Sequence, residues 1–244
     1  MKKKIVNTKL LFTVLIAAGL TFTVASCKKD STSTTAATVT EADAAELTTD
    51  AITPETGGMT AQLSSSTTIE KTVVLSCGVS KDSTIIKSSA AGASPSYSYN
   101  LNWNYMLTCN GIIPSQLTFN FTGTGSYDGA RLSSKDNSQG AFTLTGLPPA
   151  SSQYLFSSTY TRTGTTTSKI ARQYTFTSNI KITSSNIAVD KTTQQIVSGT
   201  AVVTIAATST SGKTFNFNGT VTFLGNKKAT IVLNSGVTYN IQWS

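Results

Sequence analysis

Residues 97–109 read YSYNLNWNYMLTC, and their side chains alternate between apolar and polar with one exception, Met106. Because successive side chains of a β-strand point to opposite faces, this alternation predicts a strand with one apolar face and one hydrated face. The apolar phase contains Tyr97, Tyr99, Leu101, Trp103, Tyr105, Leu107 and Cys109, and the polar phase contains Ser98, Asn100, Asn102, Asn104 and Thr108.

The same alternation recurs in the segments LTFNF and YTFTSNIKI and is most regular in the last third of the chain. There, short turn-forming segments separate four strand-like runs, and turns this short make neighbouring strands antiparallel. We predict an all-β fold of about nine or ten antiparallel strands. Both a β-sandwich and a strongly curved up-and-down meander approaching an open barrel fit the pattern. The four runs are TAVVTIAATS (200–209), TFNFNGTVTF (214–223), ATIVLN (229–234) and VTYNIQW (237–243).

The N-terminus has the features of an export signal. Three lysines follow Met1, and the apolar run LLFTVLIAAGL occupies residues 10–20. That run is shorter than the roughly 20 residues that a membrane-spanning helix needs. A basic start, a short apolar core and small residues at the end are typical of a secretion signal.

The segment VASC, residues 24–27, resembles the lipobox of bacterial lipoproteins, and the KKDS that follows resembles lipoproteins of the Bacteroidota type. The resemblance implies cleavage of residues 1–26 and attachment of a diacylglycerol to Cys27. It also implies localisation at the outer membrane, lipid-anchored and facing either the cell surface or the periplasm. The export signal of that family pairs lysine with acids, and here only Asp30 follows. An ordinary secretion signal with an incidental cysteine is the alternative.

Charge divides the remaining chain into two parts. Residues 28–66 carry six acids against two lysines, whereas residues 67–244 carry thirteen lysines and arginines against five acids. Residues 31–40, STSTTAATVT, are low in complexity and lack core-forming side chains, which is typical of a flexible segment. We therefore expect residues 27–66 to form a flexible acidic tether and residues 67–244 to form a single β domain.

Within this tether, TEADAAELTTDAI at residues 40–52 offers a short helix as an alternative to disorder. Thr40 is a suitable N-cap residue, and Asp43 stands three positions later, close to a capping-box arrangement. Pro54 and Gly57 follow and would end the helix.

The other two cysteines, Cys77 and Cys109, are both in phase with apolar neighbours, so we expect both to point into the core. If Cys27 carries the lipid, an even pair remains in an oxidising compartment, where disulfides persist. We predict a Cys77–Cys109 disulfide, and two free buried thiols are the alternative.

The composition argues against catalysis. The chain contains no histidine, which removes the commonest general base and the commonest metal ligand. We interpret Asp128 in SYDGA and Asp136 in SKDNS as turn-forming residues. We expect no enzymatic activity, cofactor or metal site. The carboxylates after residue 66 are Glu70, Asp82, Asp128, Asp136 and Asp190.

Binding is then the expected function. The scattered positive charges and the predicted location argue against nucleic acid. The hydrated strand faces are rich in Thr, Asn and Ser, with Tyr97, Tyr154 and Tyr160 near strand ends, and such surfaces suit a glycan. We expect a glycan or an envelope protein as the partner, and the membrane through the anchor at Cys27. The alternative is a carrier that holds a lipid or another apolar ligand inside a curved sheet.

Overall fold

The computed structural model describes residues 39–169, 175–210 and 212–243. The predicted signal and Cys27 lie outside these residues, so their assignment stays a prediction. Two helices come first, α1 (Glu41–Ile52) and α2 (Met59–Thr72), with a 3₁₀ turn between them. No helix among the described residues has the length and apolar character needed to cross a membrane.

The helices are followed by one antiparallel sheet in which every strand pairs with its neighbours in sequence, in the order β1 to β10. This confirms the all-β prediction and decides between its two forms. The fold is an open up-and-down meander and not a sandwich of two sheets. The strands are β1 (Ser80–Ser88), β2 (Ser96–Asn110), β3 (Ile113–Asp128), β4 (Leu132–Thr145), β5 (Gln153–Ser168), β6 (Thr175–Asp190), β7 (Ile196–Ser209), β8 (Thr214–Gly225), β9 (Lys228–Leu233) and β10 (Thr238–Gln242).

The register places the apolar phase of each strand on one face of the sheet. Trp103 pairs with Phe121 across β2 and β3, and Phe119 pairs with Phe142 across β3 and β4. The Trp103 and Phe121 rings stack with centroids 5.4 Å apart. Direct cross-strand neighbours share a face, so matched periods on adjacent strands build a continuous apolar surface.

Both helices pack on this inner face and belong to the same core as the strands. Ala44, Leu47, Ile52, Met59 and Leu63 are all buried. The prediction of a flexible tether over residues 27–66 is therefore wrong from Val39 onward. The predicted domain boundary at residue 67 falls inside α2. The error arose because few strongly apolar side chains mark these helices, and their burial depends on the sheet around them.

The start of α1 matches the predicted capping box. Thr40 Oγ1 accepts from the Asp43 backbone N–H at 3.3 Å, and Asp43 Oδ2 accepts from the Thr40 backbone N–H at 2.7 Å. Two of the amide groups that a helix start leaves unpaired are thus satisfied.

Replacing Thr40 with alanine is expected to lower the free energy of unfolding by about 1 kcal/mol, because one helix-start amide loses its acceptor. Urea unfolding followed by circular dichroism measures this loss. Thr210→Ala, a threonine at an exposed turn position, is the matched control and is expected to change stability by less than about 0.5 kcal/mol. Equal losses in the two variants would contradict the role of the cap.

The predicted Cys77–Cys109 disulfide is present, with Cα atoms 5.6 Å apart. It joins the segment after α2 to the end of β2, where Cys77 also forms a parallel bridge with Leu107. The expectation that both cysteines point into the core is wrong for Cys77, which is exposed, while Cys109 is partly buried. Cys77 lies before β1, outside the alternating strands, so phase with its neighbours does not fix its direction.

Candidate functional site

A cleft of about 690 Å³ opens between α1 and the end of the sheet. Its volume falls within the range of small-ligand sites. One wall is α1, and the others come from the β1–β2 connection, the β3–β4 turn and the edge strand β10. The residues that line it include Glu46, Asp50, Tyr127, Arg131, Tyr239 and Asn240.

A buried ion cluster lies at the base of this cleft. Arg162 on β5 is 3% exposed, and its Nη2 lies 2.6 Å from Asp136 Oδ2 and 3.1 Å from Asp50 Oδ2. Asp136 comes from β4 and Asp50 from the last turn of α1, so one guanidinium joins the sheet to the helix. Two carboxylates thus share one buried positive charge.

Arg162 also caps α1. Its Nη1 donates to the Asp50 backbone carbonyl at 2.7 Å, and the Thr56 hydroxyl donates to the same carbonyl. The C-terminal carbonyls of a helix lack partners inside the helix and carry partial negative charge, so a cation is stabilising there. The cluster therefore fixes the position of the acidic helix relative to the sheet.

Two glycines occupy crowded positions near the ion cluster and between the helices. A Cβ atom on Gly164, the residue opposite Asp136 in the register, would lie 2.4 Å from Asp136 Oδ1. Gly57 adopts a left-handed conformation with φ of 68° between the two helices, a backbone that glycine adopts without a Cβ clash. Its own Cβ position faces the ring of Tyr99 at 3.0 Å.

Two carboxylate oxygens at the cleft have no hydrogen-bond partner although both atoms are buried. They are Asp50 Oδ1 and Glu46 Oε1, on residues one helical turn apart. Glu46 Oε1 forms an ion pair with Arg131 Nε at 3.4 Å, and the Arg131 side chain is 71% exposed. Because buried polar atoms are nearly always paired in native proteins, both oxygens are candidates to accept from a ligand.

Burial raises the pKa of Asp50 to about 6, because the attraction of Arg162 offsets only part of the desolvation cost and Asp136 adds repulsion. Burial likewise raises the pKa of Glu46, against the attraction of Arg131. For Arg162, burial alone would lower the pKa, but the surrounding anions, Asp50 foremost, raise it above its usual range. The arginine therefore stays charged, and Asp50 is the group whose charge changes near neutral pH.

The three tyrosines predicted for a hydrated glycan surface lie elsewhere. Tyr154 and Tyr160 are buried on the inner face, and Tyr97 is half-buried and packs against the core. Tyr154 donates to Glu70, and the Lys191 ammonium lies 4.9 Å from the centre of its ring. The prediction that these three rings lie on the hydrated face is therefore wrong.

The interpretation of Asp136 as a turn-forming residue is also wrong. It lies within β4, buried and paired with Arg162, and is not a turn former, whereas Asp128 ends β3 and pairs with Lys169. Glu46 and Asp50 were not predicted as site residues, because residues 27–66 were expected to form a flexible tether.

Among the described residues, no group of three or more His, Cys, Asp or Glu side chains is placed to hold a metal ion.

Comparison of the chain with protein-family models, with curated proteins and with solved structures found no match in any of the three.

Proposed function

We propose that this protein is a non-catalytic binding module that holds a glycan in the cleft beside α1. The observation that carries the proposal is the cleft itself, which combines two half-buried tyrosines, Tyr127 and Tyr239, with carboxylate, guanidinium and amide groups. In the cell, the module would be attached to the outer membrane through the predicted lipid on Cys27.

The composition of the cleft favours a sugar over an apolar ligand. Tyrosine offers an aromatic surface with a polar end, and sugar rings present both C–H faces and hydroxyl groups. Glu46, Arg131 and Asn240 supply acceptors and donors at the rim. An envelope protein as the partner needs a broader surface, because stable protein interfaces bury about 800 Å² on each side.

A carrier for a lipid needs an empty apolar interior. Here α1 and α2 pack on the inner face of the sheet, and the large inner side chains, Trp103 and Phe119 among them, are buried in the same core as the helices. This packing favours the glycan proposal over the carrier alternative.

The test is a glycan array with residues 28–244, followed by calorimetric titration of the best ligand. Tyr239→Ala is expected to weaken binding about tenfold, since an aromatic contact is worth about 0.5–1.5 kcal/mol beyond its buried area. Phe215→Ala removes a half-buried aromatic that does not line the cleft and is expected to leave affinity within twofold. No detectable binding to any glycan on the array, or equal effects of the two variants on affinity, would contradict the proposal.

A further inference from the structure

The cleft is acidic although the sheet around it is basic. Five of the acids that precede residue 67, Glu41, Asp43, Glu46, Asp50 and Glu55, lie on α1 and on the 3₁₀ turn after it. The sheet and its connections carry most of the lysines and arginines of the chain. We therefore expect the cleft to attract positively charged groups, whereas the overall positive charge of the chain would favour negatively charged ligands.

The ion pairs of Arg131 and Arg162 contain more carboxylates than guanidinium groups. Three carboxylates face two guanidinium groups, which leaves one negative charge when all are ionised. Uncompensated charge of this kind is costly where water is excluded. The groups are Glu46, Asp50 and Asp136 against Arg131 and Arg162.

Both carboxylates of α1 in this set belong to residues that line the cleft. Arg162 binds Asp50 through Oδ2, and the other oxygen of that carboxylate, Oδ1, is the buried atom without a partner. Asp50 is only 5% exposed and is among the residues that line the cleft. Glu46 Oε1, one turn earlier on the same helix, is also buried and has only the ion pair with the exposed Arg131. A group with several N–H donors and a positive charge would satisfy both oxygens.

Aromatic rings complete the site for a cation. Tyr127 and Tyr239 line the same cleft, and a positive charge near the face of a tyrosine ring gains about 0.5–2 kcal/mol, the larger values applying where water is excluded. We propose that the glycan held in this cleft carries a free protonated amine, as a deacetylated amino sugar does, and that this amine contacts Asp50 and Glu46. This inference rests on the proposed glycan-binding function and specifies the class of sugar.

The experiment compares three disaccharides by calorimetric titration at pH 6.5: glucosamine with free amines, its N-acetylated form, and glucuronic acid. The first is positively charged, the second neutral and the third negatively charged, while the ring size is the same. We expect the free-amine disaccharide to bind at least tenfold more tightly than the N-acetylated one, and the acidic disaccharide to bind most weakly.

Two variants locate the effect. Asp50→Asn keeps the shape of the side chain and is expected to weaken binding of the free-amine sugar about tenfold, with binding of the N-acetylated sugar unchanged within twofold. Glu46→Gln, at a half-buried position that tolerates change more readily, is expected to act in the same direction. Asp82→Asn removes an equal charge from the exposed face of β1 and serves as the control.

The pH dependence gives an independent readout. Because the carboxyl of Asp50 is protonated below about pH 6, the preference for the amine should shrink between pH 6.5 and pH 5, while the amine itself stays protonated. The titratable or charged groups that face Asp50 and the cleft are Glu46 on α1, Tyr127 on β3, Arg131 in the β3–β4 turn, Asp136 on β4, Tyr160 and Arg162 on β5, and Tyr239 on β10.

The outcomes distinguish a failure of the amine preference from a failure of the proposed glycan-binding function. N-acetylated sugar that binds as tightly as the free-amine sugar overturns the amine preference and supports the glycan module. Tightest binding of the acidic sugar does the same. Absence of binding by all three sugars, together with a silent array, overturns both.

Discussion

Replacing Arg162 with methionine is expected to lower the free energy of unfolding by about 3–5 kcal/mol at neutral pH, the usual cost of leaving a buried charge without its partner. Arg162 is 3% exposed and is the cation between Asp50 and Asp136. The substitution also removes the donor that caps α1. Urea unfolding of both proteins, followed by tryptophan fluorescence and circular dichroism, measures the difference.

Arg131→Met is the matched control. Arg131 also pairs with an acid of α1, but its side chain is 71% exposed, and exposed ion pairs contribute about 0–1 kcal/mol. A loss below about 1 kcal/mol is expected there. Similar losses for the two arginines would contradict the view that burial gives the Arg162 cluster its importance.

The effect of Arg162→Met should also depend on pH. In the wild type the folded-state pKa of Asp50, about 6, lies above its ordinary value of 3.8, so the folded protein holds a proton that the unfolded chain releases between these values. The stability that Asp50 contributes is therefore full below about pH 4 and is lost as pH rises through 6. Without the attraction of Arg162, the pKa of Asp50 rises further, and the variant should lose less stability at pH 5 than at pH 7.

Removing the Cys77–Cys109 disulfide is expected to have the second large effect. The bond closes a loop of 32 residues, for which the chain-entropy model gives about 3.7 kcal/mol. The variant Cys77→Ser with Cys109→Ser should lose about this amount in urea unfolding, because its unfolded chain is less constrained. Reduced wild-type protein provides the comparison and should match the double variant.

The outcome that would contradict this prediction is a loss below about 1 kcal/mol in both the double variant and the reduced protein. Thiol titration of the denatured, unreduced chain provides an independent check. Two reactive groups in residues 28–244 would mean that the cysteines are not paired.

The strands could be predicted because their signal is local. An apolar residue at every second position in 97–109 fixes the two faces of β2 whatever its neighbours are. The capping box likewise marked Thr40 as the start of the helix that was the alternative to a flexible tether, since its partners are three residues apart. In contrast, α2 consists largely of serine and threonine around Met59, Leu63 and Ile69. Its burial comes from the sheet that surrounds it, which no local pattern records.

The cleft was not predictable in the same way, although part of its signal was present. Arg162 shares the phase of Phe156 and Tyr160 on β5, so alternation places its guanidinium on the inner face. A buried arginine requires a carboxylate, and Asp136 lies on the inward phase of the adjacent strand. The third member, Asp50, lies 112 residues away from Arg162 along the chain. Only the three-dimensional structure brings it to the site.

The contact between Asp50 and Arg162 has a larger cost in chain entropy than the contacts between neighbouring strands, because the two residues lie far apart along the chain. Each strand is joined to the next by a connection of at most seven residues, so the sheet can form by closing small loops. Joining Asp50 to Arg162 closes a loop of 112 residues, which costs about 3 kcal/mol more in chain entropy than closing a four-residue turn. Contacts within the meander therefore close short loops, whereas the contact between α1 and β5 is one of high contact order, the kind that slows folding.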